Sequence, residues 1–230
     1  MMPRTTFPIS ATGHGSNSQS ASIYDSIAVL GAAKRFTEAQ LRLGYRIGVA
    51  VAQTGKAMLT GATTGIPYAA AVGACDHGGF VLGISPASDP REHCERYAKP
   101  TDFHHSIIYT GLGNDGRSPL IVRSAGIALF VGGEAGTLQE FTAAWLNGTS
   151  ILGVLLGSGG IADELPRLAA SFSTSFGSRI VTASDPEDLV KVACAALAEI
   201  TSEAGVSSPS VSPRENPILK ALAHLRPPAP

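Results

Sequence analysis

Between about residues 22 and 203, short apolar runs of strand length alternate with segments of helical periodicity, and no other feature restricts the fold as much. Such alternation buries its apolar surfaces when parallel strands form a sheet with helices packed on its faces. The pattern predicts strands over 27–31, 57–60, 80–84, 106–110, 127–131, 151–155 and 179–182. Helices are expected over 38–54, 66–77, 118–124, 136–147, 161–171 and 186–200. The punctuation agrees with the periodicity. Thr37 and Gln40 have capping-box spacing, and Asp185 followed by Pro186 fits an N-cap with proline in the first turn. Gly55, Gly78 and Gly148 stand where helices should stop. The fold class expected is α/β, a doubly wound, mostly parallel sheet flanked by helices.

At 230 residues the chain suits one domain, expected over 23–202, with Ser/Pro-rich tails at 1–22 and 203–230. Hydrophobic residues make up 44% and charged residues 15%, which supports a buried sheet and leaves a sparsely charged surface that suits a homodimer. The net charge of -1 creates no field that gathers a polyanion, so the expected partner is a small molecule and not nucleic acid. Cys75, Cys94 and Cys194 are odd in number and lack CxxC spacing, which reads as reduced thiols in a cytoplasmic protein. The N-terminus lacks the apolar core of a signal peptide, and no run of about 18 apolar residues is present, so no membrane role is expected.

In a doubly wound sheet, ligands sit where strand ends lead through glycine turns into helices. Three segments meet that description. In the first, Thr60 leads into Gly61, Ala62, Thr63, Thr64 and Gly65, after which a helix begins. In the second, an apolar strand runs into Gly132, Gly133, Glu134, Ala135, Gly136 and Thr137, followed by a helix bearing Glu140. Glycines allow close backbone approach to an anion, and amides at a helix start attract it, so these two turns form a candidate phosphate cradle. Thr137-x-x-Glu140 also has the spacing of a capping box, in which the carboxylate merely satisfies an amide. The third is a glycine-rich loop over 111–117 delivering Arg117, which can grip a phosphate or carboxylate, to the next helix.

Together these residues resemble the Lonely Guy family, often labelled "possible lysine decarboxylase", and its Rossmann-like nucleotide-binding relatives. That family's pattern is an Arg, then a strand running into Pro-Gly-Gly-x-Gly-Thr-x-x-Glu. Gly136, Thr137 and Glu140 match its end, and Gly132, Gly133 and Glu134 take the Pro-Gly-Gly positions. The resemblance implies catalytic roles for Arg117 and Glu140, a Rossmann-like fold, pairing of subunits through helices near the site, and no metal. No cofactor is expected. Gly132 replaces the proline, Glu134 the second glycine, and Ile66-Pro67 a Leu-Met pair. A carboxylate at 134 repels a phosphate if it points into the cradle. These departures place the chain near the relatives that include a molybdenum-cofactor carrier.

Two functions follow from the resemblance. One is a phosphoribohydrolase-like enzyme that hydrolyses the N-glycosidic bond of a nucleoside 5′-monophosphate, with Glu140 facing the sugar. The other is a non-catalytic carrier or sensor of a phosphorylated, nucleotide-like ligand. The pairs Asp76-His77, His93-Cys94 and His104-His105 are not read as metal ligands, because adjacent side chains on a strand point apart and the resemblance implies no metal, and Asp76-His77 reads as a helix end. Arg123 reads as structural, and Trp145 as core or a subunit contact.

Overall fold

The computed structural model of the chain describes residues 25–203, apart from position 175. The expected tails lie outside these residues, except that Glu203 closes the last helix.

Seven parallel strands form one sheet among the described residues: β1 (Ser26–Gly31), β2 (Ala57–Thr60), β3 (Val81–Ser85), β4 (Ser106–Tyr109), β5 (Ile127–Val131), β6 (Ile151–Leu155) and β7 (Arg179–Ala183). Their spatial order is β4-β3-β2-β1-β5-β6-β7. The chain builds outward from β1 on one side, then crosses to the other side of β1 and continues from β5. The register runs from Ile27 beside Ile127 to Gly31 beside Val131, so β1 and β5 end level with each other.

Helices α1 (Glu38–Gln53), α2 (Ile66–Asp76), α3 (Pro90–Glu95), α4 (Gly113–Arg123), α5 (Ala135–Leu146) and α6 (Leu165–Ala170) connect the strands, and α7 (Pro186–Glu203) follows β7. A 3₁₀ turn over Gly160–Glu164 precedes α6. Alternate residues of the central strands enter opposite cores, as a pleated strand buried on both faces requires, whereas the edge strand β4 has no buried residue. Ile27, Val29, Met58, Ile127, Leu129 and Ile151 pack with α1, α2 and α7. Ala28, Leu30, Leu59, Phe130, Leu152 and Val154 pack with α4, α5 and α6. Between α1 and α2 the backbones nearly touch: a Cβ at Gly48 would overlap the Ala70 carbonyl, and one at Gly73 the Tyr45 carbonyl. Arg46 then ties α1 to the start of α7 through ion pairs to Asp185 and Glu187.

The expected capping box of α1 is present, with Gln40 N–H donating to Thr37 Oγ1 and Thr37 N–H to Gln40 Oε1. Two helical expectations need correction. Helix α3 falls in a stretch read as connecting chain. Helix α4 starts at Gly113 and not at 118, so Arg117 lies within the helix, its side chain buried with Ser118, Ile121 and Val122. Burial of that face outweighs the low helix propensity of Gly116 and the interior Pro119.

Candidate functional site

Crossing from β4 to β5 leaves a crevice at the carboxyl ends of β1 and β5, the switch point where doubly wound sheets accept ligands. A cleft of about 450 Å³ lies there. Gly31 to Lys34 line one wall, Gly61, Thr63 and Pro67 another, and Arg117, Glu134, Gly136, Thr137 and Glu140 the remainder. The strap between α3 and β4 adds Arg96, Tyr97 and Lys99.

The turn after β5 is clamped from behind. Gly132 and Gly133 take positive φ values of 60° and 91°. The Gly132 N–H donates to Ser158 Oγ (2.9 Å), and the Gly132 and Gly133 carbonyls accept from Ala162 (3.3 Å) and Ile161 (2.8 Å). The amide of Gly132 is therefore engaged within the protein. Helix α5 begins at Ala135, so Ala135, Gly136 and Thr137 occupy its first turn, where amides have no preceding intrahelical acceptor. Gly136 and Thr137 bring that turn to the cleft. Thr137 is three residues into the chain after the N-cap Glu134, so the Thr137–Glu140 capping box does not form. Glu134 lies at the exposed rim, 3.7 Å from Arg35 Nη1, and this cation offsets the repulsion its carboxylate would exert on an anion.

The turn after β2 is used differently. Ala62, at φ 44°, donates to Thr60 Oγ1 (3.1 Å). Thr64 Oγ1 donates to the Ala33 carbonyl (2.7 Å), and Ile66 N–H to the Ala32 carbonyl (2.8 Å). Pro67 has no N–H, so the first turn of α2 presents few amides. Gly65 has φ 74°, and the Ala32 carbonyl occupies the space where a side chain would stand. Gly61 has the Arg117 guanidinium where its Cβ would stand. Gly61 and Thr63 line the cleft, Ala62 bonds back to Thr60 within the turn, and Thr64 and Gly65 hold the turn against the loop after β1.

Arg117 and Glu140 meet at the cleft. Nη1 stands 3.3 Å from Oε1, and the two residues are 7% and 8% exposed, respectively. Arg117 Nε has no partner among the described residues. A buried unpaired donor is costly, and this one belongs to a side chain that lines a ligand-sized cleft. Burial raises the Glu140 carboxyl above the ordinary carboxylate range, with Arg117 and Lys99 opposing the shift. Burial also lowers Arg117, opposed by Glu140, but a guanidinium keeps its proton in proteins, so the site holds a fixed cation beside an acid of weakened acidity.

Lys99 extends this positive potential. Its Nζ donates to Asn114 Oδ1 (3.4 Å) and lies 5.4 Å from the Tyr97 ring centre. Burial first, then Arg117 and Lys34, push its ammonium down to about 8, with Glu140 opposing. Sequence reasoning singled out neither the loop after β1 nor the strap. The first was detectable as the βα loop on one side of a switch point, but the second has no motif.

The histidine pairs serve elsewhere. His93 is buried between Ser85 Oγ (2.8 Å) and the Pro100 carbonyl (3.1 Å). His104 bridges Thr60 Oγ1 (3.0 Å) and the Asp102 carbonyl (2.8 Å). The adjacent Cys94 is exposed, while Cys75 donates to the Phe103 carbonyl and burial pushes its thiol up to about 11. Arg123 is exposed, and Trp145 is buried with Nε1 donating to the Thr174 carbonyl.

Sheet order and cleft together define a Rossmann-like protein of the class that receives nucleotide-like ligands at its strand ends. The chain belongs to the SLOG cluster4 family, whose model matches residues 25–190. An uncharacterized protein of Archaeoglobus fulgidus is 32% identical over 125 residues, covering 54% of this chain and 76% of that protein. Two solved structures are similar over nearly their whole length. The molybdenum cofactor binding protein from the phototrophic bacterium Rippkaea orientalis is 27% identical with a TM-score of 0.59, covering 74% of this chain and 94% of its own. The molybdenum cofactor carrier protein from Chlamydomonas reinhardtii is 26% identical with a TM-score of 0.58, covering 78% and 99%.

Proposed function

We propose that the chain binds a phosphorylated, nucleotide-like small molecule in this cleft and acts as its carrier or sensor. The observation that carries this reading is the buried Arg117 with its unpartnered Nε, set beside the free-amide turn of α5. The phosphate would lie on the amides of Gly133 to Thr137 and be gripped by Arg117, with Gly61 and Thr63 closing the opposite wall. The two similar structures named for molybdenum cofactor binding support the carrier role. Isothermal titration of a panel of nucleoside 5′-monophosphates and phosphorylated pterins is expected to show binding by the wild-type chain. Arg117→Met should lose at least ~10-fold in affinity, the range of a lost charged hydrogen bond. Equal binding by Arg117→Met and wild type overturns the reading.

A second reading, hydrolysis of the N-glycosidic bond of a nucleoside 5′-monophosphate, is favoured by Glu140. A buried carboxyl that faces a developing oxocarbenium ion stabilises it and can orient water. If turnover occurs, Glu140→Gln should slow base release by at least ~10²-fold, the scale of a lost electrostatic contribution. Binding without base release from any nucleotide rejects the enzyme and leaves the carrier.

A second copy of the chain is the macromolecular partner this reading expects, and nucleic acid is not. Leu112 before α4, Leu120 on α4 and Leu146 on α5 are exposed and apolar, which supports pairing through this face. Sedimentation as a monomer at micromolar concentration counts against it.

A further inference from the structure

The cleft holds more positive charge than the Arg117–Glu140 pair uses. Arg35 at the rim is balanced by Glu134, Arg96 by Glu92, and Arg117 by Glu140, whereas the lining residues Lys34, which is exposed, and Lys99, which is partly buried, form no ion pair among the described residues. Among the described residues, no carboxylate lies within the 4.0 Å ion-pair distance of Lys99 Nζ, whose polar contact is the neutral Asn114 amide. A partly buried ammonium outside ion-pair distance of any carboxylate is unfavourable, and here Arg117 and Lys34 repel it while Glu140, itself paired with Arg117, offsets only part of the cost.

The structure nevertheless fixes the backbone that carries this ammonium. The strap hangs from the end of β3 through His93, whose carbonyl accepts the Lys99 N–H (3.2 Å) and whose Nε2 meets the Pro100 carbonyl (3.1 Å). The other ring nitrogen, Nδ1, pairs with Ser85 Oγ (2.8 Å), which itself accepts the Ala87 N–H (3.0 Å). A ring accepting at Nδ1 and donating from Nε2 satisfies every partner. The backbone carrying Lys99 is thus anchored on both sides of that residue, and Tyr97 lies against its side chain. An unbalanced cation held in a preorganised position is an arrangement made favourable by an incoming anion.

We propose that Lys99 is the specificity-determining cation of the cleft: together with Arg117 and Lys34 it selects a doubly ionised phosphate monoester over a singly charged ester of the same shape. This rests on the reading of the cleft as a phosphorylated-ligand site. It names the ligand class as monoesters, whose terminal phosphate carries close to two charges at neutral pH, and disfavours phosphodiesters and sulfate esters.

The pH dependence follows from the groups that face Lys99. These are Arg117 and Asp115 on α4, Glu140 on α5, Lys34 after β1, and Arg96 and Tyr97 on its own strap. Both arginines keep their charge at every working pH. The monoester becomes doubly charged above a pH of about 6. Free Lys99 loses its proton near about 8, so wild-type affinity should fall on the alkaline side of that value.

The test is titration calorimetry with adenosine, guanosine, cytidine and uridine 5′-monophosphates, followed by the 5′-sulfate of the tightest nucleoside. Wild type should prefer the phosphate by at least ~10-fold, equivalent to about 1.4 kcal/mol. Lys99→Met should narrow that preference by weakening the doubly charged phosphate more than the singly charged sulfate, and Lys99→Arg should keep it. The alkaline decline should vanish in Lys99→Met and move beyond pH 8 in Lys99→Arg. A cooperative thermal transition establishes that each variant folds. The proposal is overturned if Lys99→Met keeps the preference, or if it weakens phosphate and sulfate equally. If wild type binds neither the four monophosphates nor a phosphorylated pterin, the phosphorylated-ligand reading itself fails, and it fails before any variant is made.

Discussion

The turns after β2 and β5 are both glycine-bearing strand-to-helix connections, yet the structure gives them opposite work. After β2, Ile66 N–H bonds to the Ala32 carbonyl and Pro67 contributes none, so the turn spends its polar groups on the loop after β1. After β5, the clamp falls on Gly132 and Gly133, one step earlier in the chain, and the amides of the next turn remain open to the cleft. A difference of a few residues in where the internal hydrogen bonds fall decides which turn spends its polar groups within the protein and which leaves amides facing the cleft. Glycine is required in both, for close packing in the first and for positive φ beneath a helix start in the second.

This contrast can be broken by substitution. The largest effect is expected at Gly65, where alanine must adopt φ 74° and overlap the Ala32 carbonyl. Backbone strain and overpacking together should cost roughly 2–4 kcal/mol, read as a lower denaturant midpoint at unchanged m-value. Gly61→Ala should behave differently. Its Cβ meets the movable end of Arg117, so ligand affinity should drop by up to ~10²-fold through misplacement of the guanidinium, with little change in Tm. A large fall in Tm there would show that Gly61 serves packing, as Gly65 does.

Lys99→Met should make the unliganded protein more stable at pH 7, because it removes a partly buried, unbalanced charge. The sign can be checked against pH. Folded Lys99 titrates near about 8, below its ordinary 10.5, so between those values the unfolded chain binds more protons and wild-type stability gains from rising pH. The variant should lack that gain in urea titrations across the same window. The smallest effect belongs to Gly136, where an added Cβ meets no atom within 4 Å. Gly136→Ala should stabilise α5 by about 0.5–1 kcal/mol while narrowing the cleft, and a destabilised variant would mean the first turn is more confined than its geometry shows.

Most of the fold was readable before the structure because its cues are local. Strands β2, β5 and β6 coincide with their apolar runs, and the Thr37 cap and Pro186 start appear as expected. Helix α3 is too short for periodicity to reveal, although Asp89 before Pro90 carries the same signal as Asp185 before Pro186. Its side chain indeed accepts the Glu92 N–H at 2.8 Å. Helix α4 was obscured by Gly113, Gly116 and Pro119, whose local preferences argue against a helix that burial then imposes. In the cleft, glycine spacing drew attention to both turns, and Arg117 and Glu140 were legible as a pair of motif residues. Lys34 and Lys99 were not, since neither sits in a pattern that a one-dimensional reading can separate from an ordinary surface lysine.

From sequence alone came the parallel α/β class, the positions of the turns and the candidates Arg117 and Glu140, because alternating burial, caps and glycine spacing act over a few neighbouring residues. Only the tertiary structure decided that Glu140 pairs with Arg117 instead of capping α5, that Glu134 stands at the rim beside Arg35, and that Lys99 joins the cleft without a counter-ion. Hydrogen-bond satisfaction and charge balance depend on groups brought together from distant parts of the chain, and in a partly buried cleft those groups determine which amides and cations remain for a ligand.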